Sequence, residues 1–194
     1  MRTSEIARKT LETEIMVKLN LDGTGKTDID TGVGFLDHML TLLGKHGFLD
    51  LTVKAQGDLN VDSHHTVEDV GLALGQALQE ALGNKAGIHR YGSCLLPMDE
   101  TLAQIALDFS GRPFLVWHAD IPRVMLGNME AEMLEEFFRA VAMESGLTLH
   151  VNLLYGKNTH HMAEAIFKGF ARAVAEAVAI DPRVQGVMSS KGTL

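Results

Sequence analysis

Residues 159–178, THHMAEAIFKGFARAVAEAV, have an apolar spacing that predicts a long helix beginning with two adjacent histidines. A glutamate, Glu164, follows four residues after His160, the first histidine of this pair. The same cluster occurs nearly half a chain-length earlier, where the doublet His64–His65 and Glu68 open the apolar run VEDVGLALGQALQEALG. A repeated doublet of this kind indicates that the chain consists of two related halves.

The order of the predicted elements repeats as well. In the first half, the helix GFLDHMLTLLGKHG is followed by the strand FLDLTVKAQGD and the first doublet helix. In the second half, the helix MEAEMLEEFFRAVAMESG is followed by the strand LTLHVNLLYG and the second doublet helix. We therefore predict one internally duplicated α+β domain of βαβα-type halves, roughly 1–87 and 88–182 with a C-terminal tail, its helices packed on one face of mixed or antiparallel sheets. A chance likeness between amphipathic helices is the alternative.

The remaining segments alternate between apolar and polar residues, which is typical of strands. The N-terminal segment EIARKTLETEIMVKLNLDGTG predicts one strand that ends in a tight turn at Asp22–Gly23. The second half begins with further strands around RYGSCLLPM, TLAQIALDF and PFLVWHAD, so we expect it to contain more strands than the first.

The composition narrows the class of protein. The chain has 194 residues, 46% of them hydrophobic, which is enough for a sizeable core. Its net charge of −8 argues against a general nucleic-acid binder, because phosphate neutralisation needs clustered Lys and Arg. The single cysteine, Cys94, cannot form an internal disulfide and fits a reducing compartment. No stretch has the pattern of a signal peptide or a membrane span, so we expect a soluble, cytoplasmic protein without nucleic-acid or membrane partners.

The doublets are candidate metal ligands. Residues four apart share one face of a helix, so the first histidine of each doublet and its glutamate can bind one ion, while the second histidine points sideways. A pseudo-twofold relation between the halves would pair the sideways histidine of one half with the ion of the other. Two sites follow: His64, Glu68 and His161 form one, and His160, Glu164 and His65 the other. Such ligands suit Mn, Fe, Ni or Zn, with His38 and His150 as further candidates; the alternative is exposed histidines that only cap helices.

Cationic residues are few, which makes their positions informative. Arg90, Arg112, Lys168 and Lys191 are candidates for a clamp on a phosphate or carboxylate group. Lys168 lies one turn beyond Glu164 and extends the face that carries the second histidine–glutamate pair. The alternative is that all four are solvated surface charges.

Five motifs closely resemble the imidazoleglycerol-phosphate dehydratases of histidine biosynthesis: FLDHML, DSHHTVED, SGRPF, NTHHMAEAIFKGFARA and SSKG. The resemblance extends nearly end to end and, without an attached phosphatase domain, to the monofunctional form. It implies two similar α+β halves, a homo-oligomer of 24 subunits with sites between subunits, and two Mn²⁺ ions per active site. The implied reaction converts imidazoleglycerol phosphate to imidazoleacetol phosphate and water.

The resemblance also implies roles for individual residues. One ion would be bound by His64, Glu68, His150 and His161, and the other by His38, His65, His160 and Glu164. Besides these ligands, substrate contacts would come from Glu12, His46, Arg90, Arg112, Lys168, Ser189, Ser190 and Lys191. One departure is Met188, which stands where family members commonly have proline before Ser-Ser-Lys.

The implied chemistry explains why two metal sites are useful. The C2 proton of the substrate is not acidic and has no neighbouring carbonyl, but metal ions on the two ring nitrogens would favour an imidazolate that expels the C3 hydroxyl. Glu12, or a metal-bound water near Glu164, would carry the protons, and His65 belongs to the same catalytic group. Two rival hypotheses are a dinuclear phosphoester hydrolase and a non-enzymatic shell protein whose metal sites only join subunits.

Overall fold

A computed structural model describes all 194 residues and shows two halves with the same order of elements. The first half contains β1 (Thr3–Lys9), β2 (Thr13–Asn20), β3 (Thr27–Asp30), α1 (Gly34–Gly47), β4 (Asp50–Gly57) and α2 (His64–Leu82). The second half contains β5 (Tyr91–Met98), β6 (Thr101–Asp108), β7 (Phe114–His118), β8 (Met125–Leu126), β9 (Met129–Glu130), α3 (Met133–Ser145), β10 (Thr148–Tyr155) and α4 (Thr159–Val178).

Each half forms one four-stranded mixed sheet, in the order β1-β2-β4-β3 and β5-β6-β10-β7. Only the pairs β3–β4 and β7–β10 are parallel, and the other neighbouring strands are antiparallel. The prediction of an α+β fold with mixed or antiparallel sheets is therefore confirmed. The identical strand order supports our proposal of an internal duplication with a boundary near residue 87.

One expectation about the strands was wrong, and a second was correct for a different reason. The N-terminal segment is two antiparallel strands, because the chain turns at Thr10, whose hydroxyl accepts hydrogen bonds from the amides of Glu12 and Thr13. The second half does contain more strands than the first, six against four, although the two sheets have the same number. The sequence TDID of β3 is too polar to be recognised from alternation, and the second half adds only the small β8–β9 hairpin outside its sheet.

The four helices lie between the sheets, with α1 against α4 and α2 against α3. One face of each sheet is buried against them, as the alternating burial along β2 shows, and the apolar residues form one continuous core. Phe138 occupies its centre, with ring centroids 4.8–5.3 Å from those of Phe137, Phe167 and Phe170. None of the helices is long and apolar enough to cross a bilayer.

Glycines in α2 allow α3 to pack closely. A Cβ atom added at Gly75 would lie 2.8 Å from the carbonyl oxygen of Val141, closer than such atoms approach in proteins. One turn earlier, a Cβ at Gly71 would lie 2.9 Å from the carbonyl oxygen of Phe137. The two helices therefore pack backbone against backbone, which fixes the orientation of the N-terminal turn of α2, where the first doublet lies.

Candidate metal centre

The junction of α1 and α4 brings together three potential metal ligands. One ligand atom each of His38, His160 and Glu164 lies within 4.8 Å of the others. His38 lies near the start of α1, and the other two lie one turn apart on α4. The first turn of α4 is fixed by Asn158, whose side-chain oxygen accepts hydrogen bonds from the amides of His160 and His161.

Glu164 is the anionic centre of this cluster. Its Oε1 atom lies 2.8 Å from Nε2 of His38 and 3.1 Å from Nε2 of His160, and its Oε2 atom accepts a 2.5 Å hydrogen bond from Nζ of Lys168. Burial alone would raise the pKa of Glu164, but the hydrogen bonds from Lys168, His38 and His160 lower it to about 2. A buried carboxylate that stays ionised beside two imidazole nitrogens can bind a divalent cation.

The first doublet has the same helical spacing but fewer neighbours. Nε2 of His64 lies 3.9 Å from Oε2 of Glu68, and both side chains are nearly half exposed. No third ligand joins them, and the only group of three potential ligands in the chain is the one at the α1–α4 junction. Asp69, which follows His65 by four residues and could pair with it by the same spacing, is instead buried and bonded to Arg8 and Thr13.

The second histidine of each doublet is bonded to a carboxylate of its own half. Nδ1 of His65 lies 3.0 Å from Oδ2 of Asp58, and Nδ1 of His161 lies 2.8 Å from Oε2 of Glu100. These bonds raise the pKa of both histidines. Within one chain the sideways histidines therefore do not join the opposite histidine–glutamate pair. Sequence analysis missed both carboxylates, although Glu100 occupies the β5–β6 turn at the place that Glu12 occupies in the β1–β2 turn.

Two of the predicted residues lie apart from the cluster. His150 is exposed on β10, between the buried residues Leu149 and Val151, and has no bond to another predicted ligand. Its side chain therefore lies on the face of the sheet opposite the helices. Glu12 is exposed in the β1–β2 turn, with Oε2 3.9 Å from Nδ1 of His65.

The predicted anion-binding residues fall into two groups. Lys168 belongs to the cluster, and His46 lies close to it: burial and the nearby charges of Lys168 and Arg172 lower the pKa of His46. Arg90, in contrast, is buried in an ion pair with Asp108. Its Nη1 atom donates to the backbone carbonyl oxygen of Met188. Because any residue has this carbonyl, the contact does not require the proline that family members commonly have at this position.

The second group lines the opposite end of the domain. Arg90, Ser189 and Ser190 border a shallow groove of about 800 Å³. Arg112 and Lys191 are exposed, and neither forms an ion pair. Of the anion-binding candidates, Lys168 and His46 therefore lie at the histidine cluster and Arg90, Ser189 and Ser190 at this groove, whereas Arg112 and Lys191 line neither.

The length of α4 separates the two groups. The amide of Arg90 donates to the carbonyl oxygen of Ala177, near the end of α4, whereas Glu164 lies near its start. Thirteen helical residues correspond to about 20 Å. Within one copy, the backbone of Arg90 therefore lies far along α4 from that of Glu164.

Comparisons with known proteins agree with the motifs at this centre. The family model described as imidazoleglycerol-phosphate dehydratase matches residues 31–174. The chain is 60% identical over its full length to the imidazoleglycerol-phosphate dehydratase of Acetivibrio thermocellus, of which it covers 99%, and equally to that of Rhodopseudomonas palustris strain BisB5. The crystal structure of the Staphylococcus aureus dehydratase superposes with a TM-score of 0.84 at 42% identity, covering 92% of this chain and 99% of that one. The Pyrococcus furiosus structure, a complex with (S)-C348, also gives 0.84, at 35% identity, covering 97% and 100%.

Proposed function

The chain belongs to the imidazoleglycerol-phosphate dehydratase family, and we propose that it dehydrates D-erythro-imidazoleglycerol phosphate to imidazoleacetol phosphate in L-histidine biosynthesis. The observation that carries this proposal is the convergence of His38, from α1, with His160 and Glu164 of the second doublet motif. Close relatives over the full chain length bear the name of this enzyme. The non-enzymatic alternative leaves this family membership unexplained.

We propose that the chain binds two Mn²⁺ ions per active site. The donor set fits a transition ion, because it consists of imidazole nitrogens and carboxylate oxygens without sulfur. One set would be His38, His65, His160 and Glu164, and the other would be His64, Glu68, His150 and His161. In the chain itself, hydrogen bonds between Glu164 and the two neighbouring histidines occupy the atoms that an ion would bind.

A homo-oligomer completes the site in this proposal. Within one chain, His65 and His161 are bonded to their own carboxylates, and Arg90 is about 20 Å along α4 from Glu164. Different copies must therefore supply different parts of one site. If every copy supplies each ligand once, the number of sites equals the number of chains. A closed shell of 24 copies would meet this condition.

The residues of the chain have distinct tasks in the proposed reaction. When bound, two divalent ions would act as Lewis acids on the two ring nitrogens of the substrate. Glu12 is exposed and close to His65, where its carboxylate could take the C2 proton and return it to the departing hydroxyl. Lys168, Arg112, Lys191 and the groove residues Arg90 and Ser190 would hold the phosphate and orient the ring.

Removing the metal should abolish dehydration. We expect protein treated with a chelator and then freed of it to form no imidazoleacetol phosphate, and added Mn²⁺ to restore turnover. Loss of at least 99% of activity with chelator, and its recovery at about two ions per chain, would support the proposal. Light scattering on the same samples reports whether assembly changes with metal content.

The hydrolase alternative is tested in the same reaction. A dinuclear phosphoester hydrolase would release inorganic phosphate from imidazoleglycerol phosphate, whereas a dehydratase leaves the phosphoester intact. We expect no phosphate release at any Mn²⁺ concentration. Stoichiometric phosphate without imidazoleacetol phosphate would overturn the proposed reaction.

The affinity for Mn²⁺ should decrease as the pH falls. Hydrogen bonds to Asp58 and Glu100 raise the pKa values of His65 and His161, so both rings stay protonated to higher pH than an ordinary histidine. A ligand must lose that proton to bind an ion, so binding weakens below the raised pKa by about tenfold per pH unit for each ion. Electron paramagnetic resonance of free Mn²⁺ during titrations from pH 8 to pH 5.5 measures this, and constant affinity over the range would contradict it.

A further inference from the structure

We infer that Glu100 and Asp58 are positioning residues of the metal centre: each accepts the Nδ1 proton of a doublet's second histidine and leaves its Nε2 atom free to bind an ion. This inference rests on the proposed metal-dependent function. It adds two residues to the centre and assigns the tautomer of His161 and His65.

Hydrogen bonds to both carboxylate oxygens fix Glu100 beside His161. Oε2 of Glu100 lies 2.8 Å from Nδ1 of His161. Oε1 accepts hydrogen bonds from the amides of Lys157 and Asn158, at 3.1 and 2.8 Å, and from the hydroxyl of Thr101, at 3.0 Å. Because both oxygens are engaged, the carboxylate cannot rotate away, and the ring of His161 has a fixed orientation.

The first half makes the same contact from a different element. Both carboxylate oxygens of Asp58, just after the end of β4, lie 3.0–3.2 Å from Nδ1 of His65. Glu100 lies instead in the β5–β6 turn. The two halves thus place a carboxylate against the second histidine from unrelated positions in the fold. This indicates that the contact itself is needed.

The chemistry of imidazole explains what the contact does. A neutral ring has one N–H donor and one nitrogen lone pair, and an ionised carboxylate can only accept. A carboxylate at Nδ1 therefore keeps the proton there and places the lone pair on Nε2. Such a bond also makes the ring a stronger ligand. The first histidines of the doublets differ, because Nε2 of His160 and of His64 faces the glutamate four residues later.

A purely structural role for Glu100 at the start of α4 is the competing explanation. That helix already has a cap, because the side chain of Asn158 accepts from the amides of His160 and His161. Glu100 accepts from the two amides before the helix and from the imidazole. The two roles can be separated by replacing the carboxylate with an amide. The amide oxygen can still accept from the backbone amides, whereas the NH₂ group cannot accept the Nδ1 proton of His161.

The test is Glu100→Gln in the assembled enzyme, with Mn²⁺ as the probe. If glutamine keeps its oxygen toward the two backbone amides, its NH₂ group faces His161, which must then accept at Nδ1 and carry its proton on Nε2. We expect one of the two ions per chain to bind about 10–100-fold more weakly while the other keeps its parental affinity. Glu100→Asp keeps the carboxylate and should recover part of the loss, and Asp58→Asn should weaken the other ion by a similar factor.

Matched controls make the result decisive. Glu136→Gln makes the same change on the surface of α3 and should leave both affinities unaltered. Asn158→Ala loosens the start of α4 without touching the imidazole. The inference is overturned if Glu100→Gln and Asp58→Asn hold both ions with parental affinity, or if Asn158→Ala weakens the same ion as much as Glu100→Gln does. A parental protein that binds no Mn²⁺ would instead refute the proposed function, and Asp58→Asn provides the test should Glu100→Gln not fold.

Discussion

Replacing Glu164 with glutamine should lower kcat for imidazoleglycerol phosphate by about a thousandfold or more, and remove one of the two Mn²⁺ ions per chain. The carboxylate is the only anion among His38, His160 and Lys168, and its pKa of about 2 keeps it ionised at any working pH. Glutamine has nearly the same shape but no charge, so it would leave the Lys168 ammonium without its partner and the ion without an anionic ligand. Steady-state kinetics with metal analysis of the same preparation measures both effects.

A control on the same helix separates this effect from general damage to α4. Glu176→Gln lies three turns further along, where the side chain accepts a hydrogen bond from the amide of Ser93, and an amide oxygen can accept the same bond. We expect nearly parental turnover and two ions for Glu176→Gln. Turnover of Glu164→Gln within tenfold of the parent, with metal content unchanged, would remove Glu164 from the metal centre.

Local periodicity was enough to predict the parts of the structure that depend on neighbouring residues. The helix Thr159–Val178 was predicted with both ends, because a continuous apolar stripe runs through it in the sequence. The short strand Thr27–Asp30 was missed, since it is polar and joins the sheet only through parallel pairing with β4. The turn at Thr10 was missed for a related reason: alternation continues through it, and only side-chain hydrogen bonds reveal it.

In the candidate site too, the residues set by local spacing were predicted and those set by tertiary packing were not. The pairing of His160 with Glu164 follows from helical spacing alone. His38 was a candidate from the sequence, but its assignment to the ion of His160 and Glu164 came from the resemblance, because it depends on the packing of α1 against α4, which no spacing along the chain encodes. Asp58 and Glu100 were not found at all, since their roles depend on where a strand end and a turn lie relative to the helices.

The symmetry of the two halves predicted ligand pairs that do not form within one chain. It paired the sideways histidine of each half with the ion of the other, yet in the chain His65 and His161 are bonded to carboxylates of their own halves. Both rings lie in the first turn of a helix, and Nε2 of neither forms a hydrogen bond; the carboxylate of Asp99 lies 3.8 Å from Nε2 of His161. In our proposal the cross-pairing takes place between copies, and the two halves of one chain serve two different sites.

Replacing Gly92 with alanine should lower the free energy of unfolding by about 3 kcal/mol or more, the largest stability loss that we expect from adding one methyl group to this chain. A Cβ atom at this position of β5 would lie 1.9 Å from the carbonyl oxygen of Ala173 and 3.1 Å from the amide nitrogen of Ala177, both in the backbone of α4. Neither side can move easily, because β5 is paired along its length with β6, and α4 packs against α1 on another face.

The first half supplies the matched control for Gly92→Ala. Ser4 is the second residue of β1, as Gly92 is of β5, and its hydroxyl donates a 2.7 Å hydrogen bond to the carbonyl oxygen of Ala77 in α2. Ser4→Ala removes only that bond and should lower the free energy of unfolding by about 1 kcal/mol. Urea unfolding of the variants at equal chain concentration compares them, since assembly makes the midpoint depend on concentration. If the Gly92→Ala protein unfolds at the parental urea midpoint, β5 and α4 are further apart than described. The second doublet helix would then not pack directly on its sheet.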